Sequence, residues 1–395
     1  MERMMMIRDF FPLLAVLLVL PLLVTRGRGA DRNSGQDFLA YIGTSPENNS
    51  KGIYVFRFHA ASGKLTPLGL AAEATGPSYL AVHPNHRFLY AVNEVDDFKG
   101  QKTGAVSAYS IDNNTGKLAF LNQVSSHGTG PCHVTVDKTG KNVLVANYEG
   151  GSVAVLPIEA DGKLHEASAA IQHHGSGINK ERQEGPHPHC INTSPDNRFA
   201  LVADLGLDEI SVYRFDSAKG LLTPNDPPVS KTSPGAGPRH FVFHPNGRFV
   251  YVINEMQCSV STFEYDAKHG ALRLKGTVST LPDGYKVTSD DSAAELRVHP
   301  SGKFLYGSNR GHDSIAVFAV DAAEGTLTQV ERVPTQGKIP RGFELDPTGG
   351  YLVAANQNSN SLVVFQIDQK TGRLTPTGQK LEVMGPVDVE FVPVK

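Results

Sequence analysis

The chain has 395 residues, is 40% hydrophobic and 19% charged, and carries a formal net charge of −3. That balance supplies enough apolar material for a packed core, and it excludes the basic surface of a nucleic-acid binder or an anionic-membrane binder. Thirty-nine glycines, 25 prolines and no tryptophan suit a turn-rich all-β chain better than a helical one.

The N-terminus reads as an export signal over residues 1–30. Arg3 and Arg8 precede the apolar run Phe10–Val24, and Ala30 offers a small residue for cleavage. The run is 15 residues long and broken by Pro12 and Pro21, short for a spanning helix, so an uncleaved anchor is the alternative. The expected location of the mature chain is extracytoplasmic, periplasmic or secreted. Residues 31–36 follow as a linker, and 37–395 form the folded domain.

That domain is one unit written repeatedly. GPSYLAVHPNHRFLYAVNE (76–94), GPCHVTVDKTGKNVLVANY (130–148), HPHCINTSPDNRFALVADL (187–205), GPRHFVFHPNGRFVYVINE (237–255), SAAELRVHPSGKFLYGSNR (292–310) and IPRGFELDPTGGYLVAANQ (339–357) align without a gap. Their anchors, from Pro77 and Asn93 in the first copy to Pro340 and Asn356 in the sixth, are always 16 residues apart, although the copies recur every 47 to 57 residues. Fixed internal spacing with variable intervals means a rigid hairpin carrying loops of different length. In the first copy the spacing predicts strands over Leu80–Val82, Phe88–Val92 and Ala105–Ile111, with a fourth after the glycine of an Asp-x-x-x-Gly turn. Four-stranded antiparallel units of this length, repeated radially, are propeller blades.

A seventh copy is split. The C-terminus holds only a first strand, GPVDVEFVPVK (385–395), and the N-terminus holds the rest, FLAYIGT (38–44) and KGIYVFRFHAASGKL (51–65). The fold class is therefore an all-β, seven-bladed propeller whose ring is closed by a blade shared between the two termini, with no free sheet edge and a monomer as the expected state.

Up-and-down strand order puts the link into each first strand and the link from second to third strand on one face. The residues after the aligned prolines include Cys132, His189, Arg239 and Arg341; those after the aligned Asn/Asp include Tyr148, Glu255, Arg310 and Gln357. The ionisable groups concentrate in blades three to six. Singly, each arginine could pair with a neighbouring carboxylate and His189 could be a satisfied core histidine; gathered on one rim, they imply a site. Arginine forks match carboxylates and phosphates, so Arg239, Arg310 and Arg341 imply an anionic substrate, and Glu255 and His189 are the candidate base and acid. His187, two residues before His189, competes for the histidine role, and His240 and Gln357 are further substrate-binding candidates. No Gly-x-Ser-x-Gly and no zinc spacing is present, so neither covalent catalysis, a metal nor a cofactor is expected. Cys132, Cys190 and Cys258 read as buried thiols. The polar, histidine-rich loop 172–189 is a candidate lid over the same face, with His173 and His174 read as solvated.

The chain resembles the lactonase-type seven-bladed propellers, a group that includes bacterial 6-phosphogluconolactonase and fungal 3-carboxy-cis,cis-muconate cyclase. The resemblance covers residues 37–395 and is carried by GPRHFVFHPNGRFVYVINE, SAAELRVHPSGKFLYGSNRGHDSIAVF, PRGFELDPTGGYLVAANQNSN and HCINTSPDNRFALVADLG. It implies His189, Arg239, Glu255 and Arg310 as the catalytic set, and hydrolysis of an anionic sugar lactone such as that of 6-phosphogluconate. The alternatives are a carboxymuconate-type cycloisomerase and a non-catalytic binding platform.

Overall fold

Every repeat folds into a four-stranded antiparallel sheet, and seven such sheets account for all the long strands of the computed structural model, which describes Met1 and residues 35–394. The export-signal segment lies outside the described residues. In blade one the strands are Leu80–Val82, Phe88–Asn93, Ala105–Ile111 and Leu118–Ser125, matching the expected positions closely. The split blade closes as anticipated: Pro386–Pro393 pairs antiparallel with Asp37–Thr44, which pairs in turn with Gly52–His59 and that with Lys64–Glu73. Hydrogen bonds between the two ends of the chain thus seal the ring.

The first strand of each blade is innermost, and successive first strands contact one another around the central channel. Second and third strands are buried on both faces, and the apolar clusters lie between neighbouring blades, so each blade completes its neighbour's core. The three cysteines are buried free thiols.

Two repeated side-chain devices join the blades. The histidine of the His-Pro turn reaches a glycine carbonyl of the next blade: His83 Nε2 to Gly140, His244 to Gly302 and His299 to Gly349, each at 2.9 Å. A second-strand tyrosine donates to the carbonyl of a glycine in the turn between the next blade's third and fourth strands, as in Tyr90 to Gly162, Tyr251 to Gly325 and Tyr306 to Gly372, at 3.0, 3.1 and 2.9 Å. That glycine must lack a side chain for two reasons at once. At Gly325 the backbone is left-handed (φ 73°), and a Cβ would stand 2.5 Å from the Phe249 ring of the preceding blade. Gly325→Ala combines about 1–2 kcal/mol of backbone strain with about 1–3 kcal/mol of overpacking. Thermal unfolding of the variant is expected several degrees below the parent; an unchanged midpoint would show that the blade interface yields at no cost.

Candidate active site at one mouth of the channel

The ring positions point inward because of a backbone irregularity. In blades two, three, four and six the strand register shifts between the aligned proline and the residue two further on, at Pro131/His133, Pro188/Cys190, Pro238/His240 and Pro340/Gly342. The skipped residues are Cys132, His189, Arg239 and Arg341. A bulge re-aims a side chain out of the ladder, which is how these four come to face the channel mouth. The aligned Asn/Asp fixes the other ring: Asn254 Nδ2 donates to Ser259 and Ser261 at 3.0 and 2.9 Å, steadying the turn that begins at Glu255.

Glu255 is the hub. Its Oε2 lies 3.1 Å from Arg239 Nε and 2.8 Å from Arg310 Nη2, and its Oε1 lies 2.7 Å from Arg182 Nη2. Arg239 is 2% exposed and also donates Nη1–H to the Ala294 carbonyl at 2.8 Å; Arg310 donates to the Ala293 carbonyl at 3.1 Å. Burial alone would raise the Glu255 pKa, but Arg310 and Arg239, with Arg182 adding to them, hold it well below the usual carboxylate range. Burial, with repulsion from Arg239 and Arg341, outweighs Glu255 and lowers Arg310 to about 10. The arginines therefore crowd one carboxylate, and Glu255 is a poor proton acceptor in this arrangement.

His189 sits beside this hub, 4% exposed, with Nδ1 3.7 Å from Cys132 Sγ and no hydrogen bond to Nε2 among the described residues. Burial first, then Arg239 and His240, push its pKa well below the ordinary histidine value, so it is a neutral imidazole. His187 is differently employed. It stacks on Tyr148 (centroids 4.5 Å apart), and its two ring nitrogens meet the Tyr148 carbonyl at 3.0 Å and Glu184 at 3.2 Å.

Arg341 is half-buried in the throat with Ser78, Tyr79, Cys132, Arg239, His240 and Glu295. Its guanidinium makes no hydrogen bond and no ion pair among the described residues, and the buried Ser78 hydroxyl also has no partner. The throat leaves only about 10 Å³ free. His240 lies at this depth, bonded through Nδ1 to Glu295 at 3.0 Å and 3.3 Å from Arg239 Nη1, so it backs Arg239 from below. Gln357 is not drawn into the cluster; its amide turns to Glu47 at 3.5 Å.

Sequence reasoning missed Arg182. It belongs to the loop after the strand Ala169–Gln172, and that loop is pinned rather than loose. Asp204, the aligned acid of blade three, accepts from His173 Nδ1 at 2.7 Å and from the His187 amide at 2.8 Å, clasping both ends. His173 is consequently buried, with Nε2 2.9 Å from the Tyr213 hydroxyl, where a solvated loop histidine was expected. Gln183, fully buried, donates to the Leu205 carbonyl at 2.9 Å, and Asn179 Oδ1 accepts from the Arg182 amide at 3.1 Å. Nothing in the local sequence separates Arg182 from its charged neighbours.

Below the throat a cavity of about 290 Å³ opens at the other end of the channel, lined in part by His133, Arg297, Glu344 and Glu390. Asp388, from the closing strand, is buried there and accepts the Leu80 amide at 2.8 Å. Burial, opposed by Arg297 and supported by Glu295 and Glu344, pushes its pKa up to about 7. A carboxyl whose folded pKa is raised contributes stability below its unfolded pKa of about 4 and loses it as pH rises through the folded value. The thermal midpoint of Asp388→Asn should therefore gain on the parent progressively between pH 4 and 7; a constant difference would contradict this.

The fold and the mouth together define a class: a closed propeller with an arginine-rich funnel on one face. The chain belongs to the lactonase, seven-bladed β-propeller family, whose model matches residues 39–391. It is similar to a 6-phosphogluconolactonase of Bacillus subtilis, at 41% identity covering 78% of this chain and 85% of that protein. A 6-phosphogluconolactonase of Formosa agariphila is 36% identical over 75% of this chain and 82% of its own length. Among solved structures, the periplasmic gluconolactonase of Pseudomonas aeruginosa superposes with a TM-score of 0.85 at 37% identity, covering 91% of this chain and all of that one.

Proposed function

We propose that the protein hydrolyses an anionic sugar δ-lactone, with the lactone of 6-phosphogluconate as the type substrate. The observation that carries this reading is the surplus of positive charge at the mouth. Three guanidiniums, Arg182, Arg239 and Arg310, gather around Glu255, and a fourth, Arg341, lies beside Arg239 in the throat with no ion pair among the described residues. Such donors suit an anion and the oxyanion formed when a lactone carbonyl is attacked.

In this reading His189 Nε2 takes the proton of a water as its oxygen bonds to the lactone carbonyl carbon. Arg239, Arg310 and Arg341 stabilise the negative charge that moves onto the carbonyl oxygen. Collapse breaks the ring C–O bond, and the imidazolium returns its proton to the departing ring oxygen. Glu255 holds Arg239 and Arg310 in place, and its charge favours the transient imidazolium. The sequence left the base open between Glu255 and His189; the arginines around Glu255 and the free Nε2 favour His189.

We also infer export from residues 1–30, in keeping with the periplasmic site of the Pseudomonas relative. The purified chain without those residues should be assayed on the δ-lactones of gluconate and 6-phosphogluconate, beside a carboxymuconate absorbance assay. Lactone hydrolysis supports the proposal. Loss of muconate absorbance alone would replace it with cycloisomerisation, and inactivity in every assay would leave a binding platform.

A further inference from the structure

We propose that Arg182 is the specificity-determining residue of this site, reading an oxyanion (phosphate or carboxylate) on the sugar carbon remote from the lactone carbonyl; this rests on the lactone-hydrolase reading. The other three arginines stand on blade positions, on bulges or at the end of the Phe304–Arg310 strand, deep in the funnel. Arg182 alone comes from the overlying loop, and its side chain is 44% exposed against 2% for Arg239 and 12% for Arg310. It stands where the outer end of a funnel-bound sugar would lie.

Its geometry is that of a held group with donors to spare. Nη2 is anchored twice, to Glu255 Oε1 at 2.7 Å and to the Tyr148 hydroxyl at 3.2 Å. Nε and Nη1 make no hydrogen bond among the described residues. The Glu255 pair more than offsets the burial that disfavours the charge, so the guanidinium stays ionised. A loop closed by Asp204 at both ends and stapled by Gln183 sets the position before substrate arrives. Preorganisation of this kind reduces the ordering cost of binding. Losing Arg182 would not strand Glu255, which keeps Arg239 and Arg310.

The test compares three δ-lactones that differ only at carbon 6, bearing a hydroxyl, a carboxylate or a phosphate, in the parent and in Arg182→Gln. The readout is the preference, the ratio of kcat/KM for each anionic lactone to that for the neutral one. That ratio is expected to fall about 10- to 100-fold in Arg182→Gln, through KM, and to be partly restored in Arg182→Lys. Calorimetric titration with glucose 6-phosphate, and with glucose as the neutral comparator, should show the same dependence on Arg182 in the absence of chemistry. An equal loss on all three lactones, or a preference that does not move, overturns the proposal. If the parent hydrolyses no lactone, the lactonase reading fails and the calorimetric arm alone decides: binding of glucose 6-phosphate unaffected by Arg182→Gln, or no stronger than that of glucose, overturns the role of Arg182.

Discussion

His189→Gln is expected to lower kcat/KM for lactone hydrolysis by roughly 10²- to 10⁴-fold, the range for removing a general base. The prediction rests on the separation of two neighbouring groups. Glu255 is a carboxylate that could serve as a general base, yet its oxygens are taken by Arg239, Arg310 and Arg182. His189 is neutral because burial and the nearby arginine disfavour its charge, and its Nε2 is uncommitted. The same cause sets the pH profile. Activity needs the unprotonated ring, and a depressed pKa keeps it unprotonated to lower pH than an ordinary histidine, whose pKa is about 6.5. The profile of kcat/KM should stay level from pH 8 to below 6.5 and fall only beyond that. A limb centred at or above 6.5 would place the proton on another group. Far-ultraviolet circular dichroism of the variant should match the parent, since the contacts of the His189 ring, a long one to Cys132 and edge-to-face ones to Tyr148 and His240, are between side chains.

Arg239→Ala is expected to cost 10²- to 10³-fold in kcat, about 3–4 kcal/mol of transition-state stabilisation. The loss should fall mainly on kcat because the charge that Arg239 meets is formed during the reaction. Stability should also drop, by about 1–3 kcal/mol, because the Ala294 carbonyl loses its donor and Glu255 loses one of its ion pairs. Arg310 and Arg182 keep Glu255 compensated, so the variant should still fold. Arg239→Lys should not restore the rate, because an ammonium cannot bridge Glu255 and the Ala294 carbonyl as a planar guanidinium does. Steady-state rates and thermal melts on the two variants separate these effects; a change in KM with kcat intact would make Arg239 a binding group only.

The propeller was legible in the sequence because its repeats share a register. The 16-residue spacing located the strands of blade one, and the orphan strand at residues 385–395 foretold the sealed ring. The same register placed His189, Arg239 and Arg341 on the mouth, since each follows an aligned proline, and the structure supplies the mechanism in the bulge at that point. Loops have no such register. Arg182 was hidden in a charged stretch whose conformation depends on Asp204 and Gln183, contacts that no local pattern announces. His173 looked like a solvated loop residue for the same reason, and is buried because blade three has Asp204 where most other blades have asparagine. Gln357 shares a ring with Glu255 but follows the 3-10 turn Gln357–Ser359 toward Glu47, a direction that strand topology does not set.

The account is tested most directly by following acid release in a pH-stat at pH 7.5 with 6-phosphoglucono-δ-lactone, corrected for the spontaneous reaction, for the parent and His189→Gln. The arrangement of a neutral, uncommitted His189 beside arginines held on Glu255 predicts catalysed hydrolysis by the parent and a rate near the spontaneous one for the variant. Hydrolysis by His189→Gln at the parent's rate, or a parent that adds nothing to the spontaneous reaction, would contradict it.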